Sequence, residues 1–342
     1  MSVVPASAHA LAAAYEPLLF RRVWADATSP RVEAAHALGG RVVGDDAAAL
    51  QAPLLARAGS AHDLWLGGRS IGPAQRHGCV QFVTDGEWLH GVAEIDDQAV
   101  GLQAAAHRVY ADLFAVLAGS RSPNLLRLWN YLADINREAD GSERYRQFNA
   151  GRQQAFIEAR RSAFEGSPAA CALGTHGGPL RVYFLAGRRP PLAIENPRQV
   201  SAYRYPDTYG PRSPTFSRAA LVDVGGGRDA LFISGTASIV GHATVHLGDV
   251  RRQTEESLLN IDTVRQVAAQ RAGVPFPADA LTYTVYVRRA ADLAVVREVF
   301  ERAVGAGTVA ARDAVYLQAD ICRSELLVEI EAHGFASNER PA

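Results

Sequence analysis

The 342-residue chain contains no lysine: all 35 of its basic residues are arginine. That absence removes Schiff-base lysine chemistry, pyridoxal phosphate attachment and the lysine of a phosphate-binding loop. Any buried cation that serves a ligand must then be a guanidinium, which grips carboxylates with two parallel hydrogen bonds. Cysteine is also scarce. Cys79, Cys171 and Cys322 are scattered, odd in number and form no C-x-x-C pair, which argues against a disulfide framework and against structural zinc. Net charge is almost absent, at −1, so no overall field draws the protein toward nucleic acid or a membrane. The opening run MSVVPASAHALAAAYEP has neither a basic stretch nor an apolar run of spanning length, so the cytosol is the expected compartment. No Rossmann fingerprint occurs. The three glycines of DVGGGRD read as a hairpin turn, because no strand-to-helix context follows them.

What remains is a globular composition, 48% hydrophobic and 21% charged, long enough for two domains. In the second half a strand is expected over 230–239. A helix follows from about Val250, with Thr254, Leu258, Ile261, Val264 and Ala268 at helical spacing. A strand over 281–287, a helix carrying Leu293, Val296, Phe300 and Val304, and closing strands over 315–319 and 326–332 complete a β-α-β-α-β order. The first half repeats it more loosely: a hairpin around Asp85-Gly86, a helix with Leu102, Ala106, Val109, Leu113 and Val116, a strand over 125–130, a helix over 143–163 and a strand over 180–186. The expected fold class is α+β, with two ferredoxin-like layered domains over 1–190 and 191–342. Residues 187–217, rich in Pro, Arg and Tyr and without a period, form an irregular connector of a length that is often functional. Strands over 18–24 and 63–67 find no place in this scheme.

Several residues could carry chemistry. Tyr145, Phe148, Arg152 and Phe156 share one helical stripe, which turns Arg152 inward. A buried guanidinium needs a carboxylate, either from an internal Asp or Glu or from a ligand. Tyr203, Arg204, Tyr205, Tyr209, Arg212 and Arg218 cluster in the connector, as a solvated loop or as part of a site for a small dianion. On the alternating strand LLVEIEA, Glu329 and Glu331 share a face. Two carboxyls on one partly buried face push at least one pKa upward, which suits a general acid, unless arginines or the backbone pair with both. Cys322 reads as a small apolar residue, lacking a histidine partner. His242 and His246 are four apart, but neighbouring glycine and β-branched residues argue against a helical zinc pair, and no metal is expected.

Two groups of segments bear a resemblance to known families. The run SGTASIVGHATVHLGDVRRQTEESLLNI, with LLVEIEA, resembles the RidA (YjgF-like) superfamily, whose small β-α-β-α-β members place ligand sites at the edges of packed copies. RLWNYLADIN, ERYRQFNAGRQQAF and FISGTASIVGH resemble the chorismatase family, whose members join two such domains in one chain, here over about 75–335. This resemblance implies cleavage of chorismate without metal or cofactor. Glu329 matches the acid that protonates the enolpyruvyl methylene, while Arg152, Tyr203 and Arg218, with Tyr145, fall where carboxylates are bound. One branch of the family hydrolyses the ether to a diol. Others expel pyruvate with the substrate's own ring hydroxyl and aromatise to 3-hydroxybenzoate, sometimes with 4-hydroxybenzoate. Gly235 and Cys322 resemble the aromatising branches. Competing readings are a RidA-like enamine or imine deaminase and a non-catalytic small-molecule binding protein. A monomer or a trimer is compatible with the sequence.

Overall fold

The computed structural model describes residues 17–25, 36–46 and 49–338, so residues 1–16 of the alanine-rich opening run lie outside it. Two sheets bury their inner faces against one another, and each carries two helices on its outer face. The first sheet runs Asp320–Ile321, Ala169–Thr175, Asn124–Ala133, Leu180–Gly187, Trp88–Ile95, Val80–Thr84, Gln75–His77. The second runs Leu192–Ile194, Ala219–Gly225, Arg228–Ala237, Val328–Ser337, Thr282–Val287, Val315–Gln318.

Local chemistry explains the main elements. Asp85 Oδ1 accepts from the backbone N–H groups of Glu87 and Trp88 at 2.9 and 2.8 Å, closing the expected hairpin with Gly86 at φ 90°. Helix α1 (Leu102–Ala118) buries Leu102, Ala106, Val109, Leu113 and Leu117 against Val182 and Phe184 of the first sheet. Helix α2 (Arg144–Glu158) packs beside it and ends five residues short of the expected 163. On the second sheet, helix α3 (Val250–Ala272) is capped by the Asp249 side chain, which accepts from Arg252 N, and stops at Gly273 in the left-handed region. Helix α4 (Leu293–Val304) joins it over Val285, Val328 and Ile330. No helix among the described residues is long and apolar enough to cross a membrane.

Four features go beyond or differ from the sequence reading. The strands Ala169–Thr175 and Ala219–Gly225 were not expected: both are almost wholly buried and so lack the alternation that marks a half-exposed strand. Asp320–Ile321 leaves the second half to pair with Leu173 and Gly174 at the edge of the first sheet, crossing the boundary expected near 190. The unplaced N-terminal strands form a separate four-stranded sheet of Leu19–Ala25, Ser60–Leu66, Ala37–Gly39 and Val42–Gly44. Leu38, Val43 and Trp65 from it join Trp129, Phe232 and Tyr286 in the core between the two main sheets. The connector is not wholly irregular either. It holds the strand Leu192–Ile194 and two single-turn 3₁₀ helices, Ala202–Arg204 and Asp207–Tyr209.

Candidate active site

The closing strand Val328–Ser337 lies between Arg228–Ala237 and Thr282–Val287, hydrogen-bonded antiparallel to both. Val328 and Ile330 point to the helices. Glu329 and Glu331 point the other way, between the sheets, and each is 4% exposed. Their surroundings differ sharply. Glu331 Oε1 accepts from Arg41 Nη1 at 2.6 Å and from the Tyr286 hydroxyl at 3.1 Å, and its Oε2 accepts from Arg127 Nη2. Burial alone would raise this carboxyl, but Arg41 and Arg127 outweigh it and hold it down at about 2. Glu329 has no ion pair among the described residues. Burial, and then the neighbouring Glu331 carboxylate, push it up to about 8, with Arg127 opposing.

Glu329 opens onto a cavity of about 400 Å³ lined also by Tyr145, Tyr205, Tyr209, Phe216, Arg218, Gly235, Cys322 and Arg323. Gly235 sits at a break in register between Ile233 and Thr236. A Cβ there would lie 1.9 Å from Glu329 Oε1 and 2.9 Å from Cys171 Cβ, so glycine is what leaves room for the carboxyl. Burial, then the Glu329 charge, push the Cys322 thiol up to about 12, which makes it a neutral group at the cavity wall.

Around this acid stand guanidiniums without carboxylate partners. Arg218, 5% exposed, donates from Nη2 to Val200 O and to the Tyr205 hydroxyl, both at 2.8 Å, and lies 5.2 Å from the Phe216 ring centroid. Its Nε is buried with no partner, and Glu195, a carboxyl that feels its charge, forms no ion pair with it. Arg323 stacks 3.8 Å over the Tyr209 ring and 5.1 Å from that of Tyr205, anchored by His242 O at 2.9 Å, and its Nη2 is likewise buried and unpartnered. Neither forms an ion pair among the described residues.

Five sequence candidates therefore meet at one cavity: Glu329, Cys322, Gly235, Arg218 and Tyr145. Two do not line it. Arg152 is inward as expected, at 1% exposure, but among the described residues no internal carboxylate pairs with it. Its Nη2 donates to Asn149 Oδ1 at 2.8 Å, its charge stacks on Phe148, and it influences the Tyr145 hydroxyl from behind the wall. Tyr203 is half-buried beneath Arg204, away from the lining. Tyr205 and Tyr209, which belong to the same Tyr-rich run, do line the cavity. Arg323 was passed over although it follows Cys322 directly. Arg204 and Arg212 are exposed. His246 faces Glu256 at 3.4 Å and His242 faces Tyr209 at 3.3 Å. The glycines of DVGGGRD, all at positive φ, turn the hairpin between Ala219–Gly225 and Arg228–Ala237. Chemically, the site offers a protonated carboxyl at neutral pH beside unpaired cations, an arrangement suited to a small anion with an acid-labile bond.

Known proteins resemble this chain in sequence and fold. Residues 63–186 match the family model described as chorismatase FkbO/Hyg5-like, N-terminal. The 3-hydroxybenzoate synthase of Streptomyces hygroscopicus is 38% identical over 280 residues, covering 79% of this chain and 80% of that protein. A chorismatase of Streptomyces rapamycinicus is 41% identical over 266 residues, covering 75% and 77%. A chorismatase crystal structure superposes with a TM-score of 0.80 at 32% identity, covering 93% of this chain and 99% of that one. With relatives of this identity spanning most of both chains, the protein belongs to the chorismatase family.

Proposed function

We propose that the protein converts chorismate into pyruvate and 3-hydroxybenzoate, with Glu329 as the general acid. The observation that carries this reading is the Glu329 carboxyl: buried, without an ion pair, holding its proton at neutral pH and open to the cavity. An inward carboxyl raised above its ordinary value favours an enzyme over a binding protein of the same fold. Arg218 and Arg323, each with a buried nitrogen to spare, suit the two carboxylates of the substrate, and Arg152 adds positive potential behind Tyr145. The relative named 3-hydroxybenzoate synthase supports the aromatising outcome.

In this scheme Glu329 gives its proton to the enolpyruvyl methylene, and the ether carbon becomes electrophilic. Pyruvate leaves with the electrons of the ring carbon–oxygen bond. The neighbouring ring hydroxyl oxygen takes its place, and the hydroxyl proton returns to the Glu329 carboxylate. Ring opening with aromatisation completes the product. The two products together hold all the atoms of chorismate, so neither water nor a redox partner is consumed. Acid catalysis of this kind contributes about 10²–10⁴ in rate, with orientation and electrostatics supplying the rest.

The test is to incubate the purified protein with chorismate in chelator-containing buffer and to quantify pyruvate and the ring products. Pyruvate with an equal amount of 3-hydroxybenzoate, alone or with its 4-isomer, is expected. A non-aromatic diol would place the protein in the hydrolysing branch. No turnover by folded protein would remove the assignment.

A further inference from the structure

We propose that Glu331, clamped between Arg41 of the N-terminal sheet and Arg127 of the first main sheet, is a positioning residue whose fixed negative charge keeps the proton on Glu329. The inference rests on the reading of Glu329 as the acid, and it gives the N-terminal segment a part in the chemistry.

The geometry comes first. Residues two apart on a strand share a face, so Glu329 and Glu331 stand side by side in the same buried layer. Glu331 has its charge fixed by two guanidiniums from different elements, at 2.6 Å for Arg41 and in direct contact for Arg127. Arg41 is itself held in place. Its Nη2 donates to Asp63 at 2.9 Å, and Asp63 also receives Arg22 Nε at 2.6 Å, while Arg41 Nη1 reaches the Tyr131 hydroxyl at 2.6 Å. The cluster therefore ties the N-terminal sheet to both main sheets beneath the cavity. Its charges alternate away from the acid: Glu331 negative, Arg41 positive, Asp63 negative, Arg22 positive.

The groups facing Glu331 are Arg41, Arg127, Tyr131, Tyr286, Cys171 and, on its own strand, His333. Those acting on Glu329 are Glu331 and Arg127, and Glu329 in turn acts on Cys171, Cys322 and Tyr145. Of all these only Glu331 is an anion at neutral pH. Arg218, Arg323, Glu143 and Glu325 also line the cavity onto which Glu329 opens, but Glu331 is the anion that shares its strand face and disfavours its ionisation by charge. Arg127, whose Nη1 is buried with no partner, works against it. The division of labour is then clear. Arg41 and Arg127 fix the Glu331 charge, and that charge, with burial, fixes the protonation state of Glu329.

Glu331→Gln removes the anion and leaves Arg127 without a carboxylate partner, while Arg41 keeps Asp63, and each loss favours the Glu329 carboxylate. The alkaline limb of the kcat/KM profile should therefore move to lower pH by about one unit or more, whereas Glu331→Asp, which keeps the charge, should hold the wild-type limb. A limb that stays in place in Glu331→Gln while that protein turns over would overturn the proposal. If the glutamine variant does not fold, infrared titration of the wild type, with Glu329→Gln as the difference reference, supplies the answer. One buried protonated carboxyl, lost in that variant, is expected at pH 7. A second one remaining would mean that Glu331 is not an anion, and would overturn the idea equally. Turnover retained by Glu329→Gln would instead remove the acid itself, which distinguishes the two failures.

Discussion

Glu329 must carry its proton to act as an acid, so kcat/KM should fall as pH rises through about 8, the value to which burial and Glu331 push it. Glu329→Gln keeps the shape and removes the acid. Turnover should drop by about 10²–10⁴ while chorismate still quenches or shifts a binding signal with little change. A variant with near-normal kcat would take Glu329 out of the mechanism. Cys322 lies beside it as a neutral thiol, since its pKa stands at about 12. Nucleophilic attack by the thiolate therefore plays no part near neutral pH. We propose that it handles a proton or excludes water from the reacting ring. Cys322→Ala should divert part of the product to the non-aromatic diol, and an unchanged product ratio would reduce the cysteine to packing.

Among the elements, the bulged strand Arg228–Ala237 packs most directly on the candidate acid. Its register break at Ser234 and Gly235 brings backbone against the acid, and a methyl group at 235 would occupy the space of Glu329 Oε1. Gly235→Ala should displace the carboxyl by about 1 Å and lower kcat by up to about 10²-fold with the fold intact, as circular dichroism would verify. Wild-type kcat in that variant would show that the strand yields instead. The connector matters in a different way. Its two 3₁₀ turns rotate successive tyrosines, so that Tyr205 and Tyr209 face Arg323 while Tyr203 does not line the cavity. No period in the sequence marks that rotation.

Across the whole molecule, buried ionisable groups set how stability varies with pH. Glu329 has a raised folded pKa, so the folded state binds the extra proton between about 4.5 and 8 and loses stability as pH climbs through that window. The slope is at most about 1.4 kcal/mol per pH unit. Glu331 is depressed to about 2, so its contribution is complete above about 4.5 and is lost as pH falls toward 2. Burial, with Arg41 adding to it at His90, pushes His90 and His333 down to about 3, so the unfolded chain takes up protons there first and stability declines as pH drops below about 6.5. The melting temperature should therefore fall on the acid side. The gain in melting temperature of Glu329→Gln over wild type should grow from pH 5 to pH 8 and then level off. A constant difference across that range would contradict a raised pKa at Glu329.

At this same scale, the sequence by itself determined the elements whose burial is one-sided. The amphipathic stripes of α1, α3 and α4, the Asp85-Gly86 turn and the alternation that pairs Glu329 with Glu331 are local patterns, and they appear as read. The family motifs brought Tyr145, Arg218, Gly235 and Cys322 into the same list as the acid, and one cavity gathers them. Tertiary structure decided the rest. Ala169–Thr175 and Ala219–Gly225 are buried on both faces, so no alternation announces them. Arg152 was expected to meet a carboxylate from inside the protein or from a ligand; among the described residues no internal one reaches it, and it lies on Phe148 and Asn149 of its own helix, because whether a distant carboxylate comes near is set by packing. The same reason hides Arg41. It reaches Glu331 across 290 residues, from a segment that carries no motif, and no local pattern encodes a contact of that span. Periodicity reports which face of an element is buried, but only the packing of three sheets decides which charges share that interior and which carboxyl keeps its proton.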